Sequence, residues 1–407
     1  MRVAHLTTVD STLRFVLFRQ LQAVLDTGGE AVGISAPGPY VAELERAGIR
    51  HLALPSSTRA MHPLRDLRAA RDLWRILRRE RFDVLHTHNP KPGLYGRIVG
   101  RLAGVPIIVN TVHGLYATQN DHVLKRLLVY GLEAFADRFS DAELVLSSED
   151  FALLTRWGIT RRGSTRLLGS GVDLARFDPD RFTQEDRRRY RRRLGIEESH
   201  VVVGIVARLV AEKGYPELFT AASLLGRGYT ILAIGPEEPD KPDALPSSLL
   251  REAAGRGVRF VGMRPDVDEL CAAMDIFVLP SRREGIPLAA MEAAAMGLPV
   301  VATDIRGCRE VVEHGINGFL VPAGDAQALA EAIRKLGNEP ALRQTMGRAA
   351  RDRARDRFDE RQVVRTVLDI YRQVAARKGV PLVEQPGDAP GATAGPQNAG
   401  NVRGATR

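Results

Sequence analysis

Between positions 275 and 303 the sequence spells out one supersecondary unit. Asp275-Ile276-Phe277-Val278-Leu279 is an apolar run of strand length, followed by the polar turn Ser281-Arg282-Arg283-Glu284-Gly285-Ile286. Pro287 stands where a first helical turn tolerates proline, and Gly297 stands where a helix stops. Between them, residues 288–296 are almost all strong helix formers. Pro299-Val300-Val301-Ala302-Thr303 reads as the next strand. Strands that are apolar at every position belong to sheets covered on both faces, and parallel pairs need a helical crossover. The unit is therefore strand, loop, helix, strand, and the chain is α/β. Glu284 falls in the loop and Glu292 in the helix.

The same rhythm fills most of the 407 residues, a length that suggests two cores rather than one. In the first half, strands are expected at 2–9, 31–35, 51–54, 83–88, 106–110 and 142–147. Helices are expected at 12–25, 66–79, 95–102 and 125–140. A turn around Gly169-Ser170-Gly171-Val172-Asp173 closes this half, and the basic segment 187–193 reads as an exposed helix. The second half restarts with strands at 201–207, 229–234, 258–262, 275–279, 299–302 and 318–321. This gives domains at 1–180 and 181–358. A helix at 359–378 follows, and then a tail at 379–407 whose Pro, Gly, Ala and polar composition is that of a disordered segment.

Glu292 sits in a helix whose faces are nearly all Ala, Leu and Met, so it is expected to be buried, and a buried carboxylate needs a partner. Taken alone, Glu284 could be a solvated loop charge and Glu292 an acid near a helix start. The wider stretch decides between these readings. Ser281, Glu284-Gly285, Pro287, Glu292-Ala293, Gly297 to Ala302, Glu310-Val311-Val312, Asn317-Gly318 and Asp325 resemble the Glu-x7-Glu signature of retaining family 4 glycosyltransferases of GT-B fold. The resemblance implies two Rossmann-like domains facing each other across a cleft, with the crossing helix 359–378 returning to the first.

It also implies roles. Arg208 and Lys213, in Ala207-Arg208-Leu209-Val210-Ala211-Glu212-Lys213-Gly214, resemble the family's phosphate-binding pair, with Ala207 where glycine is common. A guanidinium fork and a mobile ammonium suit a leaving diphosphate. Glu292 would accept hydrogen bonds from the ribose hydroxyls. Glu284, with the amides of Gly285, Ile286 and Leu288, would hold the sugar and phosphates of the donor, and the base would lie near Phe260 and Val261. His113, in Thr111-Val112-His113-Gly114, matches the active-site His-Gly of the first domain. His88 is an acceptor-side candidate and His86 is read as packing. The loop after the first strand, 8–15, lacks the double glycine with which many relatives approach the donor phosphate, so the Ser11 and Thr12 hydroxyls, or the amides that open the next helix, would substitute; Ser11 and Thr12 are placed on the acceptor side. This variant resembles enzymes that build lipid-linked glycans.

No metal is expected. Asp178-Pro179-Asp180 lies in a linker, and Asp266-Val267-Asp268 is read as capping a helix. The two cysteines are too few for a disulfide framework or a cysteine-rich zinc site, and a reducing cytoplasm is the default. Residues 1–9 are too short and polar for a signal peptide.

The net charge of +9 is uneven: residues 1–200 hold 31 basic and 23 acidic side chains. That half could face an anionic membrane, an anionic substrate or nucleic acid. Aromatics at 6% argue against nucleic-acid stacking surfaces. Helix 64–79 carries Leu67, Ala70, Trp74 and Leu77 on one face, expected to enter the core, with Arg65, Arg68, Arg75 and Arg79 mostly opposite. The expected activity is transfer of a hexosyl or N-acetylhexosaminyl group from a nucleotide sugar, UDP-linked by preference. The acceptor would be a polyprenyl-diphosphate-linked glycan at the inner face of the plasma membrane. The runner-up is a mannosyltransferase using GDP-mannose, and the non-enzyme alternative is a basic nucleic-acid-binding protein.

Overall fold

The computed structural model describes residues 1–58, 62–88, 90–117 and 121–382. The expected disordered tail lies almost wholly outside the described residues. Seven strands form the first sheet: β1 Arg2–Val9, β2 Glu30–Ala36, β3 Arg50–Ala53, β4 Val84–His88, β5 Ile107–Val112, β6 Ala142–Val145 and β7 Thr165–Leu167. Six form the second: β8 Val201–Val206, β9 Tyr229–Ile234, β10 Val258–Phe260, β11 Ile276–Leu279, β12 Val300–Thr303 and β13 Gly318–Val321. All pairings within the sheets are parallel, in the orders β3-β2-β1-β4-β5-β6-β7 and β10-β9-β8-β11-β12-β13.

Each sheet thus reverses its winding direction once, between β1 and β4 and between β8 and β11. Ligands of such sheets bind outside the carboxyl ends of the strands at this switch point. Helices cover both faces, which is why the central strands β4, β5, β11 and β12 are buried along their whole length.

The chain passes between the domains twice, side by side. Val172 donates to Phe358 O at 2.8 Å, and Glu360 N donates to Val172 O at 3.2 Å. Gly171 is required here, because a Cβ at this position would run into the backbone of Glu360. Asp173 accepts from the amides of Ala175 and Arg176 and pairs with Arg19 of the first domain. The Gly-Val-Asp turn is therefore the crossing point itself. Beyond it, the helix Glu360–Lys378 buries Val367, Tyr371 and Val374 against Val3, Leu21, Val84 and Val109 of the first domain.

Several elements depart from expectation. The helix expected over 12–25 is two, Asp10–Phe15 and Phe18–Asp26. The break lets Leu13, Leu17 and Leu21 all reach the core while Phe15 and Val16 stay exposed. The first-strand loop expected at 8–15 is accordingly short: the chain enters helix directly after Val9. Helices Val41–Arg46 and Ser148–Arg156 and strand β7 were not expected. In the helix Pro63–Glu80 the buried stripe is Ala69, Leu73 and Leu77, whereas Leu67 and Trp74 are exposed. Leu73, at i+4 from Ala69 and i−4 from Leu77, centres the core-facing stripe, and Trp74 lies about 100° further round.

Candidate active site

The two switch points face each other across a cleft of about 900 Å³. The second domain contributes Arg208 after β8, the loop Glu284-Gly285-Ile286 after β11, and Leu288 and Glu292 from the helix Leu288–Ala295. The first contributes Thr12, Thr111 and His113. The loops touch: a Cβ on Gly285 would collide with the carbonyl oxygen of His113, so only glycine lets the two backbones pack. Nearby, Arg306 of the second domain donates to Asp150 Oδ1 and to Leu115 O, both at 2.7 Å. Glu310 accepts from Ser148 N at 2.7 Å and Ser148 Oγ at 2.6 Å, a carboxylate at the start of the helix Ser148–Arg156 where the dipole favours it.

The carboxylates of the signature have different surroundings. Glu284 Oε1 lies 2.7 Å from Lys213 Nζ. Lys213 is thus brought to the site through Glu284 rather than as part of the cleft wall. Arg208 pairs at 2.7 Å with Glu238, an acid not singled out in the sequence. Glu292 lines the cleft, and its carboxyl makes no hydrogen bond to any described residue. Burial pushes its carboxyl up to about 8; the guanidinium of Arg176 pulls it back down, and Asp268 adds to the rise. A carboxyl so placed has acceptor oxygens free for donors that enter the cleft.

His113 has a partner inside the protein. Its Nε2 lies 3.1 Å from Nδ1 of His88, and burial lowers its pKa to about 4. His88 is fully buried between His5 and His113, so it does not face an acceptor, and His86 is equally buried. Thr12 is on the cleft wall, whereas Ser11 is not. Phe260 and Val261 are also off the wall, and Phe260 packs edge to face on Phe219 with 5.9 Å between ring centroids. Both Asp-x-Asp pairs are held by arginines: Asp178 and Asp180 by Arg351, Asp266 by Arg264, and Asp268 by Arg176 and Arg181. Asp266 stands at the N-cap of the helix Val267–Ala272, but its carboxylate takes Arg264 instead of a cap amide. The later signature residues are structural. Asn317 ties Val311 O to Glu313 N, and Asp325 caps the helix Ala326–Asn338 through Ala328 N.

Two Rossmann-like domains with this cleft between them form the GT-B fold. Residues 186–353 match the glycosyl transferases group 1 family, and residues 17–171 match a glycosyl transferase 4-like domain. The chain belongs to this group 1 glycosyltransferase family. It is 30% identical over 325 residues to a D-inositol 3-phosphate glycosyltransferase of Saccharomonospora viridis, covering 74% of this chain and 72% of the relative. It is 27% identical over 348 residues, covering 84% and 88%, to an Escherichia coli enzyme. That enzyme is the UDP-Gal:alpha-D-GlcNAc-diphosphoundecaprenol alpha-1,3-galactosyltransferase. The crystal structure of Anabaena HepE in complex with UDP superposes with a TM-score of 0.77 at 22% identity, covering 92% of this chain and all of the other. The nucleic-acid alternative falls with these matches, since the cleft and both domains are accounted for by a sugar-transferring enzyme.

Proposed function

We propose that the chain is a retaining, metal-independent enzyme that moves a hexosyl or N-acetylhexosaminyl group from a UDP-linked sugar to a polyprenyl-diphosphate-linked glycan in surface-polysaccharide assembly. In this reading residues 181–358 bind the donor and residues 1–180 the acceptor. The observation that carries it is Glu292, whose carboxyl has no hydrogen-bond partner among the described residues and lies in the cleft that Arg208 also lines. A ribose diol supplies the two donors it lacks. The diphosphate then falls against Arg208 and Lys213, which exchange Glu238 and Glu284 for phosphate oxygens.

Transfer proceeds on one face of the sugar. The anomeric carbon–oxygen bond to the diphosphate breaks and the acceptor oxygen bonds from the same side. The acceptor proton passes to the departing phosphate oxygen, whose charge Arg208 and Lys213 stabilise. No divalent ion is needed for that charge, and the arginine-held aspartate pairs are not free to bind one.

The lipid side of the reading rests on the first domain. Exposed Phe15 and Val16 border the cleft beside Arg14 and Arg19. The helix Val123–Asp137 turns its apolar stripe outward: Leu124, Leu127 and Leu128 are 69%, 65% and 63% exposed, and Leu132 and Phe135 continue the row. On the helix Pro63–Glu80, exposed Leu64, Leu67 and Trp74 alternate with Arg71 and Arg78 along one outer stripe. Apolar stripes set among arginines suit the headgroup region of an anionic bilayer. No helix among the described residues is long and apolar enough to cross a membrane. We place the enzyme peripherally on the cytoplasmic leaflet.

The test is a thermal-shift panel of UDP, GDP and their sugars, since a ligand that binds only the folded state raises the midpoint. A shift with UDP-linked compounds is expected. A shift with GDP-mannose alone would replace the donor assignment, and no shift with any nucleotide sugar would overturn it.

A further inference from the structure

Four histidines, on β1, on β4 and just after β5, form one hydrogen-bonded chain with Tyr371 and Thr111 that runs from the cleft to the C-terminal helix. His5 on β1 pairs in register with His86 on β4, and His88, two residues on, faces the same side. From the cleft inward, His113 Nε2 meets His88 Nδ1 at 3.1 Å, and His88 Nε2 meets His5 Nδ1 at 3.0 Å. His5 Nε2 lies 3.4 Å from the hydroxyl of Tyr371 on the helix Glu360–Lys378. That hydroxyl lies 2.7 Å from His86 Nδ1, and His86 Nε2 lies 2.7 Å from Thr111 Oγ1. His5, His86, His88 and Tyr371 have no solvent exposure, and burial lowers the pKa of every histidine in the chain. Each ring is therefore neutral, with one N–H and one acceptor nitrogen.

That condition fixes the direction of the chain. Five hydrogen bonds need five protons, and the six groups carry six, so one proton is left over: either at an end, or on Tyr371 if both neighbouring rings donate to its oxygen, where a fully buried hydroxyl would be left with no acceptor. If the bonds ran from His113 inward, the spare proton would sit on the Thr111 hydroxyl, which donates to no described residue; Thr111 borders the cleft but is only 2% exposed, whereas His113 is half-buried, and a buried donor without a partner is costly. In the other direction Thr111 donates to His86, His86 to Tyr371, Tyr371 to His5, His5 to His88, and His88 to His113. The spare proton is then on His113 Nδ1, which has no partner among the described residues, on a side chain that lines the cleft. We infer that His88 and, behind it, His5 are positioning residues that hold His113 as a single tautomer, its Nε2 occupied and its Nδ1–H available to donate. His113 then acts as a hydrogen-bond donor to bound substrate and not as a base through Nε2. The same bonds account for the three buried histidines His5, His86 and His88 without an ion between them, because both nitrogens of His86 are committed to oxygen.

The inference rests on the sugar-transfer reading only for its effect on turnover; the tautomer itself is observable without substrate. The experiment is two-bond 1H–15N correlation on the full chain labelled with 15N-histidine, with His113 assigned by its loss in His113→Asn. In the wild type, His113 is expected to show a protonated Nδ1 and a bare Nε2. His88→Phe, which keeps a ring and removes both nitrogens, should release His113 into a tautomer mixture. It should also lower kcat by about 10²-fold, the scale of a misplaced catalytic contact, with UDP affinity unchanged. His88→Asn keeps a donor near the position of Nδ1 and should restore both the tautomer and most of kcat. A protonated Nε2 on wild-type His113, or an unchanged His113 pattern in His88→Phe, would overturn the inference. So would stoichiometric zinc retained by the purified protein through dialysis. If His88→Phe does not fold, Tyr371→Phe interrupts the same chain further in, and an unaltered His113 pattern there would equally count against it.

Discussion

Lys213 Nζ lies 2.7 Å from Glu284 Oε1, so the cation we propose for the leaving diphosphate is paired with a carboxylate of the loop proposed to hold the donor sugar. In the proposed reading, phosphate binding is an exchange: Lys213 leaves one anion for another, and Glu284 is freed to accept from the donor sugar. Arg208 and Glu238 repeat the arrangement on the other side.

Lys213→Ala and Arg208→Ala should each lower kcat by about 10²–10³-fold, the usual loss when one donor to a developing anion is removed. Glu284→Gln combined with Lys213→Ala should be markedly non-additive, because both substitutions act on one contact. Steady-state kinetics on the wild type, Arg208→Ala, Lys213→Ala, Glu284→Gln and the double variant would check this. Additive losses would separate the two residues into independent roles.

Binding of UDP should be pH-dependent through Glu292. In the free enzyme its carboxyl titrates near 8 and is mostly protonated at neutral pH. Ribose hydroxyls donate to the ionised form, so affinity should rise with pH through about 8 and then level off. Calorimetry in buffers of different ionisation heat should detect a released proton at pH 7. Glu292→Gln should flatten the profile and weaken binding, and a flat wild-type profile would remove Glu292 from the ribose.

Acid should destabilise the first domain. His5 and His113 are held neutral, with pKa values lowered to about 3 and about 4 from an ordinary 6.5. A depressed pKa gives stability that is complete above 6.5 and is lost as pH falls toward 4 and 3. Each such group can contribute up to about 1.4 kcal/mol per pH unit inside that window. Urea unfolding at pH 7.5, 6 and 5 should show a falling midpoint, and an unchanged midpoint would mean that these histidines are not buried neutral.

Activity should survive EDTA followed by dialysis, since the charge of the diphosphate is met by Arg208 and Lys213. Loss with rescue by magnesium or manganese would require another source of metal ligands, with Asp178, Asp180, Asp266 and Asp268 the first to test.

Vesicle sedimentation should separate the two outer stripes. Leu127→Glu and Leu128→Glu lie on an exposed helix face and should fold normally while reducing binding to anionic vesicles. Binding should also weaken as salt rises from 0.1 M to 1 M and the Debye length falls from about 10 Å to about 3 Å. Equal binding of wild type and variants would remove this helix from the interface.

The second sheet was legible because its central strands β8, β11 and β12 are apolar almost throughout, a pattern that survives without tertiary information; in the first sheet, β1, β4 and β5 keep apolar runs but interrupt them with His, Thr and Asn. The unit from Ile276 to Thr303 was legible for the same reason, with proline and glycine marking the ends of its helix. Short elements were not. The helix Ser148–Arg156 begins with an ordinary Ser-Ser-Glu-Asp, and its importance comes from Arg306 and Glu310, about 160 positions away. Helix faces were misjudged where one residue of register matters, as with Leu73 and Trp74. The histidine chain left one signal, His86-Thr87-His88 on a buried strand, which puts both rings on one face. Their partners His5, His113 and Tyr371 become neighbours only through the strand order β1-β4-β5 and the returning C-terminal helix.

The central claim is sugar transfer from a nucleoside diphosphate donor with retention at the anomeric carbon. It is tested most directly by incubating the full chain with UDP-hexoses and UDP-N-acetylhexosamines and a polyprenyl-diphosphate-linked saccharide. The glycan is then released and its new linkage read by NMR. The account predicts release of UDP in step with one added sugar, in the α configuration of an α-linked donor, in the presence of EDTA. A product of inverted configuration, or no transfer from any nucleotide sugar to any such acceptor, would contradict it.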